Sequence, residues 1–164
     1  MSSLIIATGS NLGDKLDNLQ KAQSELTLLF KLEAQSRIYH SKAVDYQDQP
    51  SFYNQVLQYK LPQNLSAHDV LNHLLEIENK LGRTREVHKG PRLIDIDLLF
   101  YALEHHETST LLLPHPRLWE RSFVVLPLKE LPFFKTLEKN FNFSNQFEVS
   151  AQPLSAQNQM SHFS

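Results

Sequence analysis

Apolar residues recur along the chain at two different periods, and these periods predict helices and strands. Leucine, valine and alanine return every three or four residues over 16–29 and again over 70–81, which is typical of helices that bury one face. Ser66 followed by Asp69 is a capping-box pattern, and Gly82 is a suitable C-terminal cap. The second helix is therefore predicted to begin just after Ser66 and to end at Gly82.

Shorter apolar runs predict strands over 4–7, 32–40, 52–60, 94–101 and 111–113. The order strand, helix, strand, strand, helix, strand is that of a split βαβ, or ferredoxin-like, sandwich. We therefore predict an α+β fold with a βαββαβ order, a mostly antiparallel sheet and helices packed on one face, the other face being free to carry a site. Residues 1–147 are predicted to form a single domain, and 148–164, poor in large apolar side chains, a disordered C-terminal tail.

Two aspartates interrupt the most strand-like segment. Side chains alternate across a strand, so Ile94, Ile96, Leu98 and Phe100 are predicted to share one face and Asp95 and Asp97 the other. The two Cα atoms would lie roughly 6.5–7 Å apart, a spacing at which two carboxylates can hold hard cations for phosphoryl chemistry. The alternative interpretation is a half-solvated strand whose aspartates face water, because a short Asp-x-Asp pattern also arises by chance.

The segment before this strand favours the metal interpretation. Residues 83–92 contain three arginines and a lysine, and arginine makes fork-shaped, charge-assisted hydrogen bonds to phosphate oxygens. Acidic side chains for a metal beside a cationic loop are what phosphoryl transfer requires. The alternative for the loop is a solvated run of charge. No Gly-x-x-x-x-Gly-Lys-[Ser/Thr] phosphate loop occurs, so side chains and metals would have to hold a nucleotide.

Composition limits the remaining function classes. The 164 residues include no cysteine, so disulfides and thiolate metal sites are excluded. A net charge of −2 argues against a protein that coats nucleic acid. No apolar run is long enough to span a membrane, and the first residues do not resemble a secretion signal. We therefore predict a cytoplasmic protein without nucleic-acid or membrane partners.

Several motifs resemble those of the 6-hydroxymethyl-7,8-dihydropterin pyrophosphokinase family. The longest is Gly-Pro-Arg-Leu-Ile-Asp-Ile-Asp-Leu-Leu at 90–99. Shorter ones, in the order known for the family, stand at 9–13, 49–54, 81–85, 114–116 and 121–123. Together they cover roughly residues 4 to 130, and several motifs in one order carry much more weight than any single motif.

The resemblance implies an ATP-dependent diphosphokinase of folate biosynthesis, in which the pterin hydroxymethyl oxygen attacks the β-phosphorus of ATP and AMP leaves. It implies that Asp95 and Asp97 hold two Mg²⁺ ions and that Arg83 and Arg92 act with them in catalysis by steadying the phosphates. The further ATP contacts that it implies are Glu78, Arg85, Ile96, His115 and Arg121.

The resemblance also implies a pterin site. Phe52 and Phe123 would stack on the two faces of the flat ring, and Asn54 would hydrogen-bond its polar edge, since an amide offers both a donor and an acceptor. Backbone around Gly9, Ser41 and Val44 would complete the site. ATP and 6-hydroxymethyl-7,8-dihydropterin are then the partners, and the protein is expected to act as a monomer.

Two other function classes stay open at this stage. A nucleotidyltransferase with an Asp-x-Asp strand would use the same metals but release pyrophosphate instead of AMP. An RNA-binding module of ferredoxin-like fold is the second alternative, although the Lys/Arg-Gly-Phe type of motif expected on its strands is absent.

Overall fold

The computed structural model describes residues 2–41, 51–82, 93–144 and 149–154. Its strands are β1 (Ser3–Ser10), β2 (Leu32–Gln35), β3 (Tyr39–Ser41), β4 (Phe52–Lys60), β5 (Asp95–Tyr101), β6 (His106–Glu107), β7 (Leu112–Leu113) and β8 (Ala151–Pro153). Its helices are α1 (Lys15–Leu29), α2 (Ala67–Lys80), α3 (Ser122–Leu128) and α4 (Phe134–Asn140), with a 3₁₀ turn at Leu118–Glu120. No helix in these four segments is long and apolar enough to cross a membrane.

The main sheet confirms the predicted ferredoxin-like arrangement. Its strand order is β5-β1-β4-β3-β8, and β2 also pairs with β4. The pairings are antiparallel, as the split βαβ order predicts. A separate small sheet joins β6 to β7. Strands β1 and β5, which overlap the motifs at 9–13 and 90–99, therefore lie next to each other.

The ends of the helices follow local chemistry. Asp14 caps α1 by accepting the backbone N–H of Asp17 at 3.1 Å. The predicted capping box at α2 is confirmed, because the Ser66 hydroxyl accepts the Asp69 N–H and the Asp69 carboxylate accepts the Ser66 N–H. Gly82 follows α2 with φ of +87°, a left-handed conformation that favours glycine.

The sheet has an apolar cluster on each face. One cluster packs under α1 and α2 and includes Leu4, Ile6, Leu57 and Leu74, each fully buried. The second includes Ile5 and Val56 and packs against α3 and α4. The prediction that the second face is open is therefore wrong for this part of the sheet, because the chain after residue 117 folds back over it.

The predicted strand over 32–40 is divided into β2 and β3 at Ser36. The Ser36 hydroxyl accepts the backbone N–H of Val56 at 3.0 Å, in place of a backbone carbonyl. Gln55 donates its side-chain N–H to the Ser36 carbonyl at 2.8 Å. Between β2 and β3, side-chain hydrogen bonds of Ser36 and Gln55 thus replace part of the backbone pairing with β4.

A bulge changes the face of Phe100. Ile5 is in register with Phe100 but Ile6 with Leu98, so Leu99 is an extra residue in β5. Phe100 consequently lies in the cluster under α3 and α4, and the prediction that it shares the face of Ile94, Ile96 and Leu98 is wrong. The prediction is confirmed for the other three residues.

The C-terminal segment also differs from its prediction. Residues 148–164 are predicted to be disordered. Of these, 148 and 155–164 lie outside the described residues, whereas Ala151–Pro153 form β8 and pair with β3. Ala151 and Leu154 are buried, and the Leu154 N–H donates to the Ile38 carbonyl at 2.9 Å. Two buried apolar side chains and the pairing with β3 therefore hold this short stretch against the sheet. Helix α4 is a further element that the apolar pattern does not predict.

Candidate active site

A row of three residues crosses the sheet where β5, β1 and β4 lie side by side. Gly9 of β1 is in register with Asp95 of β5 on one side and with Asn54 of β4 on the other. Register partners in an antiparallel sheet present their side chains to the same face, so the aspartate and the amide flank a position that has no side chain. Neighbouring strands lie about 4.8 Å apart, which puts roughly 10 Å between the Cα atoms of Asp95 and Asn54.

Side-chain size increases along this face from the row toward the core. The next row on the same face consists of Asp97, Ala7 and Val56, and the one after it contains Ile5. On this face of β1 the side chains thus become larger from Gly9 through Ala7 to Ile5. Val56 and Ile5 are fully buried, whereas both aspartates are half-buried. The partly accessible positions of this face are therefore the two aspartates and Ala7 beside them.

The aspartate pair suits magnesium better than a closed metal cage. Asp95 and Asp97 project from one face of β5, in agreement with the sequence pattern. Magnesium is usually held by one or two carboxylates, with water and substrate phosphates completing its coordination. Among the described residues, no group of three or more His, Cys, Asp or Glu side chains could hold a metal ion. The donor set thus fits magnesium that arrives with a polyphosphate.

His115 and Arg121 come close to the aspartates from the loop that precedes α3. The backbone N–H of His115 donates to the Leu99 carbonyl of β5 at 3.1 Å. Burial lowers the pKa of the His115 imidazole, the positive charge of Arg121 lowers it further, and Asp95 raises it. The Arg117 N–H donates to His115 Nδ1 at 3.4 Å, so the neutral ring carries its proton on Nε2. That proton is suited to an anionic or ribose oxygen.

The amide of Asn54 is buried with an unused donor. Its Nδ2 atom has no hydrogen-bond partner within the part of the chain that the structure describes. A buried polar group without a partner is costly, so this amide is suited to a ligand that accepts its hydrogen bond. Its position depends on Gly9, because a Cβ atom at residue 9 would lie 2.7 Å from Asn54 Oδ1.

Two aromatic residues and a serine lie on the face of Asn54. Ser41 is in register with Phe52, two residues before Asn54 in β4. Phe123, the second residue of α3, is half-buried and packs against the apolar cluster of the same face. The guanidinium carbon of Arg121 lies 5.5 Å from the centre of the Phe123 ring. The structure places these predicted pterin contacts on the same face of the sheet, and their stacking on a ring stays a prediction.

Glu78 and Ile96 contact each other on the side of the sheet that α1 and α2 cover. Glu78 is 2% exposed, and its Oε2 atom accepts the backbone N–H of Ile96 at 2.7 Å. The Ile96 side chain is buried in the cluster under α1 and α2. A contact of Ile96 with ATP would therefore have to use its backbone. The ATP contacts predicted for both residues stay predictions. Four other predicted site residues, Val44, Arg83, Arg85 and Arg92, lie outside the described residues.

A second set of interacting residues, Glu130 with Arg37 and Tyr39, lies beside this face, and the sequence gives no indication of it. Glu130 accepts hydrogen bonds from Arg37 and from Tyr39, which are 93 and 91 residues away in the chain. Tyr39 is in register with Asn54 and so extends the row of Asp95, Gly9 and Asn54. No local pattern marks such a long-range pairing. An alignment that showed Tyr39 and Glu130 changing together could have found it.

A family model for 7,8-dihydro-6-hydroxymethylpterin-pyrophosphokinase matches residues 5–132. The 2-amino-4-hydroxy-6-hydroxymethyldihydropteridine pyrophosphokinase of Bacillus subtilis is 41% identical over 128 residues, which cover 77% of this chain and 75% of the relative. The protein of the same name from Aquifex aeolicus is 34% identical over 151 residues, which cover 88% of this chain and 93% of the relative.

Some relatives are much longer. The folic acid synthesis protein FOL1 of Dictyostelium discoideum is 40% identical over 126 residues, but the chain spans only 19% of its length. A crystal structure of a Plasmodium falciparum HPPK-DHPS triple mutant superimposes with a TM-score of 0.60 at 12% identity, covering 93% of this chain and 46% of the other. At that identity the superposition supports the fold alone.

Proposed function

The chain belongs to the 7,8-dihydro-6-hydroxymethylpterin-pyrophosphokinase family, and we propose that it transfers a diphosphate group from ATP to 6-hydroxymethyl-7,8-dihydropterin for folate synthesis. In this reaction the pterin hydroxymethyl oxygen forms a bond to the β-phosphorus of ATP. The bond between that phosphorus and the oxygen bridging to the α-phosphorus breaks, AMP leaves, and the hydroxyl proton passes to solvent.

The observation that carries the proposal is the row of Asp95, Gly9 and Asn54. It sets a carboxylate suited to a metal-bound polyphosphate across a bare backbone position from an amide with an unused donor. The reaction requires the two substrates to lie side by side, with the phosphates next to Asp95 and the pterin next to Asn54. Holding both in place supplies a large part of the rate enhancement expected of such an enzyme.

The residues on the pterin side have distinct roles in this proposal. Asn54 binds the polar edge of the ring, and Phe52 and Phe123 stack on its two faces. Each aromatic contact adds about 0.5–1.5 kcal/mol beyond the burial of apolar area. Ser41 and the backbone at Gly9 line the ring's edge, together with Val44 as predicted from the sequence.

The residues on the phosphate side hold and neutralise charge. Asp95 and Asp97 would hold two magnesium ions, which when bound supply charge neutralisation along the triphosphate. His115 donates its Nε2 proton to an oxygen of ATP, and Arg121 pairs with a phosphate. Arg83, Arg85 and Arg92 are assigned the same task from the sequence, and Glu78 supports the strand that carries both aspartates.

Product analysis separates this function from that of a nucleotidyltransferase. The protein is incubated with magnesium, ATP and 6-hydroxymethyl-7,8-dihydropterin, and AMP, pyrophosphate and pterin diphosphate are quantified. We expect AMP and pterin diphosphate in equal amounts. A matched reaction with 6-methyl-7,8-dihydropterin, which lacks the attacking hydroxyl group, should yield no AMP. Release of pyrophosphate would contradict the proposal and favour the nucleotidyltransferase.

Two further properties belong to the proposal. We place the enzyme in the cytoplasm and expect a monomer, as the sequence predicts. Light scattering at several protein concentrations checks the monomer. Binding of single-stranded RNA on a filter at moderate salt would favour the RNA-binding alternative, although the burial of Ile5 and Val56 under helices leaves less open sheet than that function uses.

A further inference from the structure

One carboxylate, just after helix α3, accepts four hydrogen bonds from the residues at the start of strand β3 and just before it. Glu130 Oε1 accepts the backbone N–H of Arg37 at 2.9 Å, and Oε2 accepts the Nε and Nη2 donors of Arg37 at 3.1 and 3.0 Å. The Tyr39 hydroxyl also donates to Oε2. We call these three residues the Glu130 clamp. Its members come from two elements that are distant in sequence but adjacent in space.

The Glu130 clamp is charged, not neutral. Burial raises the pKa of the Glu130 carboxyl, but the hydrogen bonds from Arg37 and Tyr39 outweigh burial and hold that pKa below its ordinary value. The carboxylate is therefore ionised at neutral pH, and its bonds are charge-assisted, although those from Arg37 are exposed to solvent. Tyr39 is 4% exposed, so its hydroxyl bond is shielded from water more than an ordinary surface contact is.

The clamp lies directly beside the proposed pterin site. Tyr39 is in register with Asn54, and both side chains face α3. Glu130 stands two residues beyond the end of α3, while Phe123 is the second residue of the same helix. The clamp thus connects the helix that carries one pterin contact to the strand next to the other.

The opposite end of α3 is fixed to the same edge of the sheet. The Ser122 hydroxyl accepts the Ser150 N–H at 3.0 Å and lies 3.0 Å from the Ser150 hydroxyl. Ser150 immediately precedes β8, whose Ala151 is in register with Ser41. Both ends of α3 are therefore bonded to the β3–β8 edge, and β8 lies beyond the residues that the family model matches.

Helix α3 needs such contacts because it has little stability of its own. It has only seven residues, contains Pro127, and has no side-chain hydrogen bond at its N-terminal cap. Helices this short are unstable in isolation. Val124 and Leu128 attach it to the apolar cluster, but apolar contacts are not directional and do not fix how far the helix slides along the sheet. The hydrogen bonds at its ends can fix that position.

We propose that Glu130 and Tyr39 are positioning residues for the pterin substrate, which set the height of Phe123 above the ring by holding α3 against β3. This inference rests on the proposed function. Neither residue touches a substrate; each acts through the helix. The consequence is specific to the pterin side, because Asp95, Asp97 and His115 make no bond to the clamp among the described residues. Arg121 directly precedes α3 and moves with it, but it is only one of several residues assigned to the phosphates.

The test measures the affinity for two ligands in a set of variants. Dissociation constants of a dihydropterin analogue, in the presence of a non-hydrolysable magnesium–ATP analogue, and of that nucleotide alone are measured by calorimetry. We expect Glu130→Ala to weaken pterin binding about tenfold and to leave nucleotide binding within about twofold, since a factor of ten corresponds to the loss of a single well-made interaction. Steady-state kinetics should show the same split, with KM for the pterin raised more than kcat is lowered.

Tyr39→Phe gives a milder version that keeps the ring. It removes the hydroxyl bond only, and we expect a loss of roughly threefold in pterin affinity, as for one hydrogen bond of modest net value. If the hydroxyl acts through Glu130, the double variant should bind no more weakly than Glu130→Ala alone. Glu130→Gln, which keeps an acceptor of the same shape, should restore part of the affinity.

A control variant separates positioning from general destabilisation. Glu33 accepts hydrogen bonds from Ser3 and Gln58 at 2.7 and 3.0 Å, at the end of the sheet away from Gly9. Glu33→Ala removes a comparably bonded carboxylate and should leave pterin affinity unchanged. If Glu130→Ala fails to fold, Tyr39→Phe still decides the matter.

Three outcomes would overturn the inference while leaving the function in place. They are wild-type pterin affinity in folded Glu130→Ala and Tyr39→Phe, an equal loss of nucleotide affinity, and an equal loss of pterin affinity in Glu33→Ala. A wild-type protein that binds no dihydropterin would instead remove the proposed function and the inference together.

Discussion

The two faces of the sheet differ in how completely they are covered, and this difference explains where the site lies. The face under α1 and α2 is closed, with Ile6, Leu57 and Leu98 buried along three adjacent strands. The opposite face is closed only where α3 and α4 pack on Ile5 and Val56. Toward Gly9 the same face carries aspartates and an amide. A single strand can therefore serve the core with one set of side chains and the site with the other.

Strand β1 shows how the transition is made. Leu4, Ile6 and Thr8 point to the closed face, while Ile5, Ala7 and Gly9 point to the other, with their size falling along the strand. The side-chain volume of β1 on this face thus falls toward the row of Asp95, Gly9 and Asn54. Stability and catalysis should consequently depend on different residues of the same strands, and the following predictions test that separation.

The largest effect is expected on the open face. Asp97→Ala should lower kcat on the order of 10³-fold, about 4 kcal/mol, because it removes a carboxylate that we propose holds a metal against developing phosphate charge. The free energy of unfolding should change by less than about 1 kcal/mol, since the side chain is half-buried and not part of an apolar cluster. Urea titration and steady-state assays measure the two quantities.

Asp97→Asn is the matched variant, because it keeps the size of the side chain but removes its negative charge. It should lose nearly as much activity as Asp97→Ala. An unfolded Asp97→Ala protein, or one with near-native turnover, would contradict both the metal role and the separation of the two faces.

The opposite behaviour is expected on the closed face. Leu74 of α2 is fully buried, and Leu74→Ala should lower the free energy of unfolding by about 2–5 kcal/mol through lost burial and the cavity left behind. At a temperature where the variant is still folded, kcat should stay within about twofold of wild type. Leu28→Ala, at a leucine of α1 that is 80% exposed, is the control and should have almost no effect. A catalytic loss in folded Leu74→Ala would mean that the two faces are coupled.

The features that could be predicted from the sequence are those encoded within a few residues. The period of apolar side chains places both long helices, the Ser66–Asp69 capping box fixes the start of α2, and alternation puts Asp95 and Asp97 on one face. The family motifs identify further residues that the fold then brings to that face.

The features that could not be predicted depend on contacts between distant residues. The bulge at Leu99 exists because of how β5 pairs with β1, and it moves Phe100 to the other face. Segment 149–154 looks polar by composition, yet it is ordered by the free edge of β3. Glu130 resembles any surface glutamate until β3 and α3 are packed together. Each of these outcomes is decided by tertiary structure, which local propensity does not report.

A smaller effect is expected from closing the gap at Gly9. A Cβ atom there would lie 2.7 Å from Asn54 Oδ1, too close for a normal contact, and the buried amide has little room to turn. Gly9→Ala should weaken the binding of a dihydropterin analogue about tenfold, or ~1.4 kcal/mol, by displacing the amide, while the affinity for magnesium–ATP stays near wild type. Calorimetry measures both.

Gly82→Ala is the control for Gly9→Ala. It places a side chain at a φ of +87° and should lower stability by about 1 kcal/mol, but it lies at the end of α2 and does not contact Asn54. Unchanged pterin affinity in Gly9→Ala would show that Asn54 is not confined by the bare position in the row.

The smallest effect concerns the ionisation of His115, and its sign tests whether the phosphate side is assembled as described. Burial and Arg121 lower the pKa of His115 below the ordinary 6.5, and Asp95 opposes them. NMR titration should therefore show the pKa rising in Arg121→Ala and falling further in Asp95→Asn. Because the unfolded state binds more protons once the pH drops below 6.5, this residue lowers the free energy of unfolding as the pH falls from there through its folded-state pKa. Shifts of the same sign in both variants would mean that Arg121 and Asp95 do not both act on the His115 ring. The row of Asp95, Gly9 and Asn54 would then not have His115 and Arg121 beside it.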